Sequence, residues 1–287
     1  MTEMPADHPE GREEVLQIIG LCRFSVPGIG GFQTEHGTIE ARRAMLYDPA
    51  RLDRRLAWFE HVCLPGLRAQ TDPDFTLVLL LGEDLPEPWR GRVLALVADV
   101  PQIVVEYAPP GPHREICAEA MRRHVHPEAT VLAQFRLDDD DAVAGSFVAR
   151  TRRDLAAVLG ILDHKRNFAL DYVRGLVLRW DGELMSYEPR FAHLWTAGLV
   201  FVNRPADDRF ILDTRHDRMW YYMPVVSQSD EIMFLRGAHG GNDSPIGRGR
   251  DRYPLSEERF ETVLRKRFHV DLEALARRLL DIAAART

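Results

Sequence analysis

The stretch FTLVLLLG, residues 75–82, contains no charged residue and no alternation of polar with apolar side chains. It is bounded by TDPD and EDLPEP, so its length suits a strand, and a strand that is apolar on both faces has to be covered on both faces. That requirement selects a parallel sheet with helices on either side. The flanking sequence supplies the parts. VLQIIGLCRFSV (15–26) reads as a strand ending in the Pro/Gly loop PGIGGF, and a helical stripe follows at Leu52, Leu56, Phe59 and Val62. WRGRVLALVADV (89–100) reads as a helix, QIVVEY (102–107) as a strand, REICAEAMRRHV (114–125) as a helix and VLAQFRL (131–137) as a strand. Strand and helix alternate, which predicts an α/β fold with a Rossmann-like sheet. With 287 residues and 45% hydrophobic content the chain can bury a sizeable core.

The second half changes character. After the helical pattern GSFVARTRRDLAAVLGIL, residues 168–203 carry the β-like runs FALDYVRGLVLRW and LWTAGLVFVN, which predict a mixed or antiparallel continuation. LEALARRLLDIAAAR near the C-terminus reads as an amphipathic helix. The expected layout is a polar tail over 1–14 and one domain over 15–287. Within it, a nucleotide-binding half runs to about 145, an acceptor-side catalytic half to about 270, and a closing helix over 271–287. The formal charge of −7, from 44 acidic and 37 basic residues without a basic block, argues against nucleic acid or an anionic membrane as partner. Three widely separated cysteines offer neither a disulfide framework nor a C-x-x-C metal site, so a reducing cytoplasm is expected. No apolar stretch is long enough to cross a bilayer, and MTEMPADHPEGREE lacks the pattern of a signal peptide.

QFRLDDDDAV, residues 134–143, places four carboxylates directly after a predicted central strand. Adjacent like charges repel unless water, donors or a cation compensate them. In open α/β sheets ligands bind beyond the carboxyl ends of the strands, where hard oxygens suit Mg²⁺ or Mn²⁺. The same residues also read as a solvated turn, with Asp141 capping the next helix. The ligand spacing of an EF-hand is missing, PGIGGF is not a dinucleotide fingerprint, and no G-x-S-x-G elbow is present.

RLDDDDAV after an apolar strand resembles the R-x-D-x-D-D signature of GT-A-fold glycosyltransferases, and LPGLRAQTDPDFTLVLLLGEDLP (64–86) resembles the second-strand region of that fold. Together with LCRFSV and LRGAHGGNDS (235–244), these segments are similar to a bacterial rhamnosyltransferase family. The resemblance implies a GT-A-like mixed sheet flanked by helices, and a metal-dependent, inverting transfer of a sugar from a nucleotide-sugar donor to a glycan or other hydroxyl acceptor. It implies Mn²⁺ or Mg²⁺ held by Asp138, Asp140 and His239, with His216 a weaker rival to His239. Asp139 is expected to point away from Asp138 and Asp140 if strand alternation continues. Arg136 and Asp138 share a side under the same alternation, and with Arg23 and Asp84 they are expected near the donor; Glu83 is a neighbour that could reach the base or ribose. Gly237, Gly240 and Gly241 are expected to let backbone approach phosphate oxygens.

The resemblance also makes SQSDEIMFLR (227–236) the carrier of the acceptor-side base. Asp230 is followed six residues later by Arg236, so Asp230 is the first choice, with Glu231 one residue out of register. Alternatively DEIMF opens a helix and its acids only complement the helix dipole. Two other functions fit the fold class. A nucleotidyltransferase would show a Gly-rich loop with a basic residue after the first strand, which PGIGGF lacks, and a non-catalytic glycan-binding or scaffold protein would leave the carboxylates unused.

Overall fold

The computed structural model describes residues 14–30, 38–242, 246 and 251–285. Most of the expected polar tail, the end of PGIGGF and the Asp243–Ser244 pair of the last motif lie outside these residues. A seven-stranded sheet runs, edge to edge, through Val225–Gln228, Asn167–Tyr172, Leu199–Asn203, Val131–Asp138, Leu16–Phe24, Thr76–Gly82 and Ile103–Ala108. Leu16–Phe24 pairs in parallel with both of its neighbours, and Thr76–Gly82 pairs in parallel with Ile103–Ala108. Leu199–Asn203 is antiparallel to the strand on either side. The sheet is therefore mixed and mainly parallel in the N-terminal half, as the apolar runs required.

Alternation along Leu16–Phe24 explains how both faces are filled. Ile18, Cys22 and Phe24 enter one core with Leu52, Leu56, Phe59 and Val62. Ile19 and Leu21 enter the other with Val78, Leu80, Cys117 and Met121. The helices Trp89–Val97 and His113–Arg122 fall where the pattern placed them. The long helix expected from residue 145 is instead Phe147–Ala156 followed by a 3₁₀ turn, Leu159–Asp163.

FALDYVRGLVLRW does not form one strand. It divides at Val173 into Asn167–Tyr172 of the large sheet and Arg174–Trp180 of a second sheet, whose order is Met185–Phe191, Arg174–Trp180, Phe234–Ala238 and Ala142–Val143. The second sheet brings the GAHGGN segment against the end of the acidic run, because Phe234–Ala238 pairs with Ala142–Val143. The helix alternative for DEIMF is not realised: Asp230 and Glu231 lie in the loop between Val225–Gln228 and Phe234–Ala238.

Candidate active site

The acidic run is a turn, and it is buried. Asp141 N–H donates to the Asp138 carbonyl at 3.0 Å, which ends the pleat at Asp138. Asp139, Asp140 and Asp141 are at most 2% exposed, while the Asp138 side chain is 26% exposed. Buried carboxylates need cations in contact, and the chain supplies its own. Arg23, at the end of the neighbouring strand, donates through Nη2 to Asp138 Oδ1 at 2.5 Å. Arg55, from the helix Pro49–Trp58, donates to Asp140 Oδ2 at 2.6 Å and pairs with Asp139. Arg236 Nε lies 3.3 Å from Asp141 Oδ2, and Gly237 N–H donates to Asp141 Oδ1 at 3.1 Å.

This corrects two expectations. Asp139 shares the Arg55 guanidinium with Asp140 instead of pointing away, because strand alternation stops at the turn. Asp141 does not cap a helix, since Phe147–Ala156 begins after Ser146.

Charge then distributes unevenly along the run. Burial opposes the charge of Asp138, but Arg23, Arg136 and Arg236 outweigh it and hold the carboxyl well below its usual range. Burial likewise opposes Asp140, and Arg55 with His239 prevails. At Asp141 burial wins, with Asp140 and Asp138 adding repulsion, and the carboxyl is pushed up to about 8 despite Arg236.

His239 meets Asp140 from the second sheet. Its Nε2 is 3.0 Å from Asp140 Oδ2, its Nδ1 accepts from Gly241 N–H at 3.1 Å, and Asn242 Nδ2 donates to the same Asp140 oxygen at 2.8 Å. Burial lowers the pKa of the His239 ring in spite of Asp140, and Trp58 stacks on it with centroids 4.9 Å apart. Gly237 does not face an open phosphate site. A Cβ there would stand 2.4 Å from the Asp140 carbonyl and 3.0 Å from Trp58, so glycine is what lets the strand close on the acidic turn.

Arg136 differs from the other arginines. Among the described residues it makes no hydrogen bond or ion pair; its buried Nε lacks a partner, as do those of Arg55 and Arg236. Burial, then the neighbouring Arg23, pushes its pKa down to about 10. Arg236 and Asp138 also act on it, and the imidazoles of His113 and His216 feel its charge. A half-buried cation without a direct partner, beside two further arginines, is a place for an anion.

His113 faces Arg23 Nη1 with its Nε2. Burial, then Arg23 and Arg136, pushes its pKa down to about 2. The folded protein therefore refuses a proton that the unfolded chain accepts below about pH 6.5, and stability is lost as pH falls from there toward 2. In acid denaturation below pH 6.5, His113→Gln is expected to remove up to about 1.4 kcal/mol per pH unit of the wild-type decline, read from urea midpoints across pH 4–7.

The remaining candidates are placed as follows. Asp84 accepts from Tyr47 Oη at 2.6 Å and pairs with Arg43, so it is engaged within the chain. Glu83 beside it is exposed. Asp230, whose side chain is 60% exposed, takes both oxygens to Arg150 Nη2 at 2.7 and 2.8 Å. Glu231 accepts from Arg150 at 2.7 Å and pairs with Arg267. The bond from Arg150 lowers the Asp230 pKa, and the bond from Arg267 lowers that of Glu231. Both carboxylates are held by arginines, which lowers their basicity.

Arg55 and Asn242 were missed from sequence. Arg55 had a legible signal: it lies beside Leu56 and three residues after Leu52, on the rim of the buried helical stripe.

The expected ligands Asp140 and His239 are bonded to each other, 3.0 Å apart. His239 Nδ1 takes the Gly241 N–H, so Nε2 carries the proton that Asp140 Oδ2 accepts beside Arg55 and Asn242. A divalent ion between them would require that proton to leave. Among the described residues no third His, Cys, Asp or Glu completes a metal-holding group with them.

Residues 17–251 match the model of a family described as putative rhamnosyl transferase. No curated protein matches the chain. Among solved structures, S. aureus TarS is similar at 12% identity and TM-score 0.38, over 78% of this chain and 37% of that one. This chain thus spans little more than a third of that relative. S. aureus TarS 1-349 in complex with UDP-GlcNAc is similar at 12% identity and TM-score 0.37, over 94% and 73%. The Rv0371C complex with manganese from Mycobacterium tuberculosis H37Rv gives 14% identity and TM-score 0.31, over 79% and 90%. Likenesses this remote carry no argument about what this chain binds.

Proposed function

From the premise that the chain belongs to the putative rhamnosyl transferase family and is a glycosyltransferase, we propose that it moves a rhamnosyl group from a nucleotide-activated donor to a hydroxyl acceptor. The donor diphosphate lies over the carboxyl ends of Leu16–Phe24 and Val131–Asp138. The observation that carries this reading is the Arg136 guanidinium, buried at Nε and without an ion-pair partner among the described residues. An anionic ligand would supply what the fold leaves out. Arg23 and Arg236 add to the local positive potential, and Asp138, the most exposed of the four acids, is the one able to face a ribose.

Asp140 and His239 would hold a divalent cation, with Asp138 beside them. When bound, such an ion offsets negative charge developing on the leaving diphosphate. The chain's own contribution is separate: Arg55 and Asn242 fix the Asp140 carboxylate, and Trp58 fixes the His239 ring. Positioned arginines stabilise the departing phosphate oxygens through charge-assisted hydrogen bonds.

The direct test is release of nucleoside diphosphate from dTDP-, UDP- or GDP-rhamnose by the purified chain, with and without Mn²⁺. Release from one of them above the uncatalysed background is expected, and absence of release from all three counts against the reading. Loss of a general base costs about 10²–10⁴ in rate. Because Asp230 is clamped by Arg150, Asp230→Asn is expected to keep turnover within about tenfold of wild type, and a hundredfold fall would restore it as the base.

A further inference from the structure

We infer that the exposed aromatic ledge Trp220–Tyr221–Tyr222 binds sugar rings of the acceptor, so that the acceptor is a glycan; this rests on the transferase reading above. The three side chains are 57%, 65% and 70% exposed. Trp220 and Tyr221 stack with centroids 3.8 Å apart and planes at 26°, and Tyr222 continues the row at 6.5 Å. Three consecutive exposed aromatic rings leave apolar area in water that a bound partner would cover.

The backbone of the ledge is anchored at both ends. It lies between Met219 and Met223, both buried in the core on that face of the sheet, and the N–H groups of Tyr222 and Met223 donate to the Met219 carbonyl at 2.9 and 3.0 Å.

Its position points to the second substrate. The same 3₁₀ segment begins at His216, whose Nδ1 is 2.6 Å from the Leu194 carbonyl and whose ring feels the charges of Arg136 and Arg236. Met219 and Met223 share their core with Leu21, the register partner of Arg136, so the ledge lies on the same face of the sheet as Arg136 of the proposed donor site. Its chemistry points to sugar. Flat aromatic faces match the C–H face of a pyranose, and tyrosine hydroxyls and the neighbouring Arg215–Asp217 pair, 2.8 Å apart, can meet ring hydroxyls. Arg215 and Arg218 are interleaved with Asp213 and Asp217, so the surroundings are not the basic surface that anionic lipid headgroups select.

The test uses the full chain on an array of bacterial oligosaccharides. Wild type is expected to bind at least one glycan, with Trp220→Ala and Tyr222→Ala each lowering that signal at least about tenfold, and Leu184→Ala, an exposed residue on the Arg174–Phe191 hairpin, leaving it unchanged. Of the five tryptophans, Trp220 is the exposed one. The same glycan should therefore protect unmodified protein from acrylamide quenching, a readout independent of any variant. The inference is overturned if wild type binds no glycan, if Trp220→Ala binds as well as wild type, or if phosphatidylethanolamine/phosphatidylglycerol vesicles capture wild type but not Trp220→Ala. Nucleoside diphosphate binding is measured in parallel. If it persists while glycan binding fails, only the ledge assignment falls; if it fails while ledge-dependent glycan binding holds, the transferase reading falls and the ledge stands.

Discussion

Replacing Arg55 with glutamine should destabilise the protein by about 3–5 kcal/mol, the usual cost of leaving a buried charge without its partner. Arg55 is the cation in contact with both Asp139 and Asp140, and neither carboxylate can turn to water. Glutamine keeps a donor and most of the volume, so the loss reports charge and not a cavity. In Arg55→Gln the two acids become easier to protonate in the folded state than in the unfolded chain. The deficit should therefore be largest at neutral pH and shrink as pH falls toward the range where the unfolded carboxyls also protonate. Urea denaturation at pH 7 and pH 5 measures both numbers. A deficit below about 1 kcal/mol at pH 7 would mean that water or another group compensates the turn.

Arg136→Met should behave in the opposite way. Its guanidinium has no ion-pair partner among the described residues, and burial beside Arg23 already disfavours its charge. Removing it is expected to leave the melting temperature equal to or above that of wild type. The same change should weaken nucleoside diphosphate binding at least about 100-fold, the loss of two charge-assisted hydrogen bonds at about 1.5 kcal/mol each. A substitution that costs binding while sparing or raising stability marks a residue kept for a ligand. If Arg136→Met unfolds the chain, Arg136 is structural and the anion site has no support.

Much of the sheet was legible because its strands are short, apolar and bounded by turn residues. FTLVLLLG and VLAQFRL could be read as covered strands with little competition. The second half was harder. FALDYVRGLVLRW shows no turn signal at Val173, yet the chain passes there from one sheet to the other, a choice made by packing of distant strands. DEIMF carried a helix-start pattern that the pairing of Phe234–Ala238 with Arg174–Trp180 overrode.

In the site, the sequence showed where charge accumulates but not what neutralises it. Four adjacent aspartates invited a cation from outside; Arg55, 84 residues before Asp139, is a cation from inside, and no local pattern links the two. Asp140 and His239 could be paired through the resemblance, and the structure brings them to 3.0 Å. The clamp of Arg150 and Arg267 on Asp230 and Glu231 was not legible, because each partner lies on a separate helical segment brought in by the fold.

The central claim is that the charged side chains at the end of Val131–Asp138 receive a nucleotide diphosphate. Isothermal titration of dTDP, UDP and GDP into wild type, Arg136→Met and Asp140→Asn, each with and without Mn²⁺, tests it most directly. The predicted result is that wild type binds one of them more tightly with Mn²⁺, that Asp140→Asn loses the Mn²⁺-dependent gain, and that Arg136→Met loses binding under both conditions. Equal binding by all three proteins, or no binding by wild type, would contradict it.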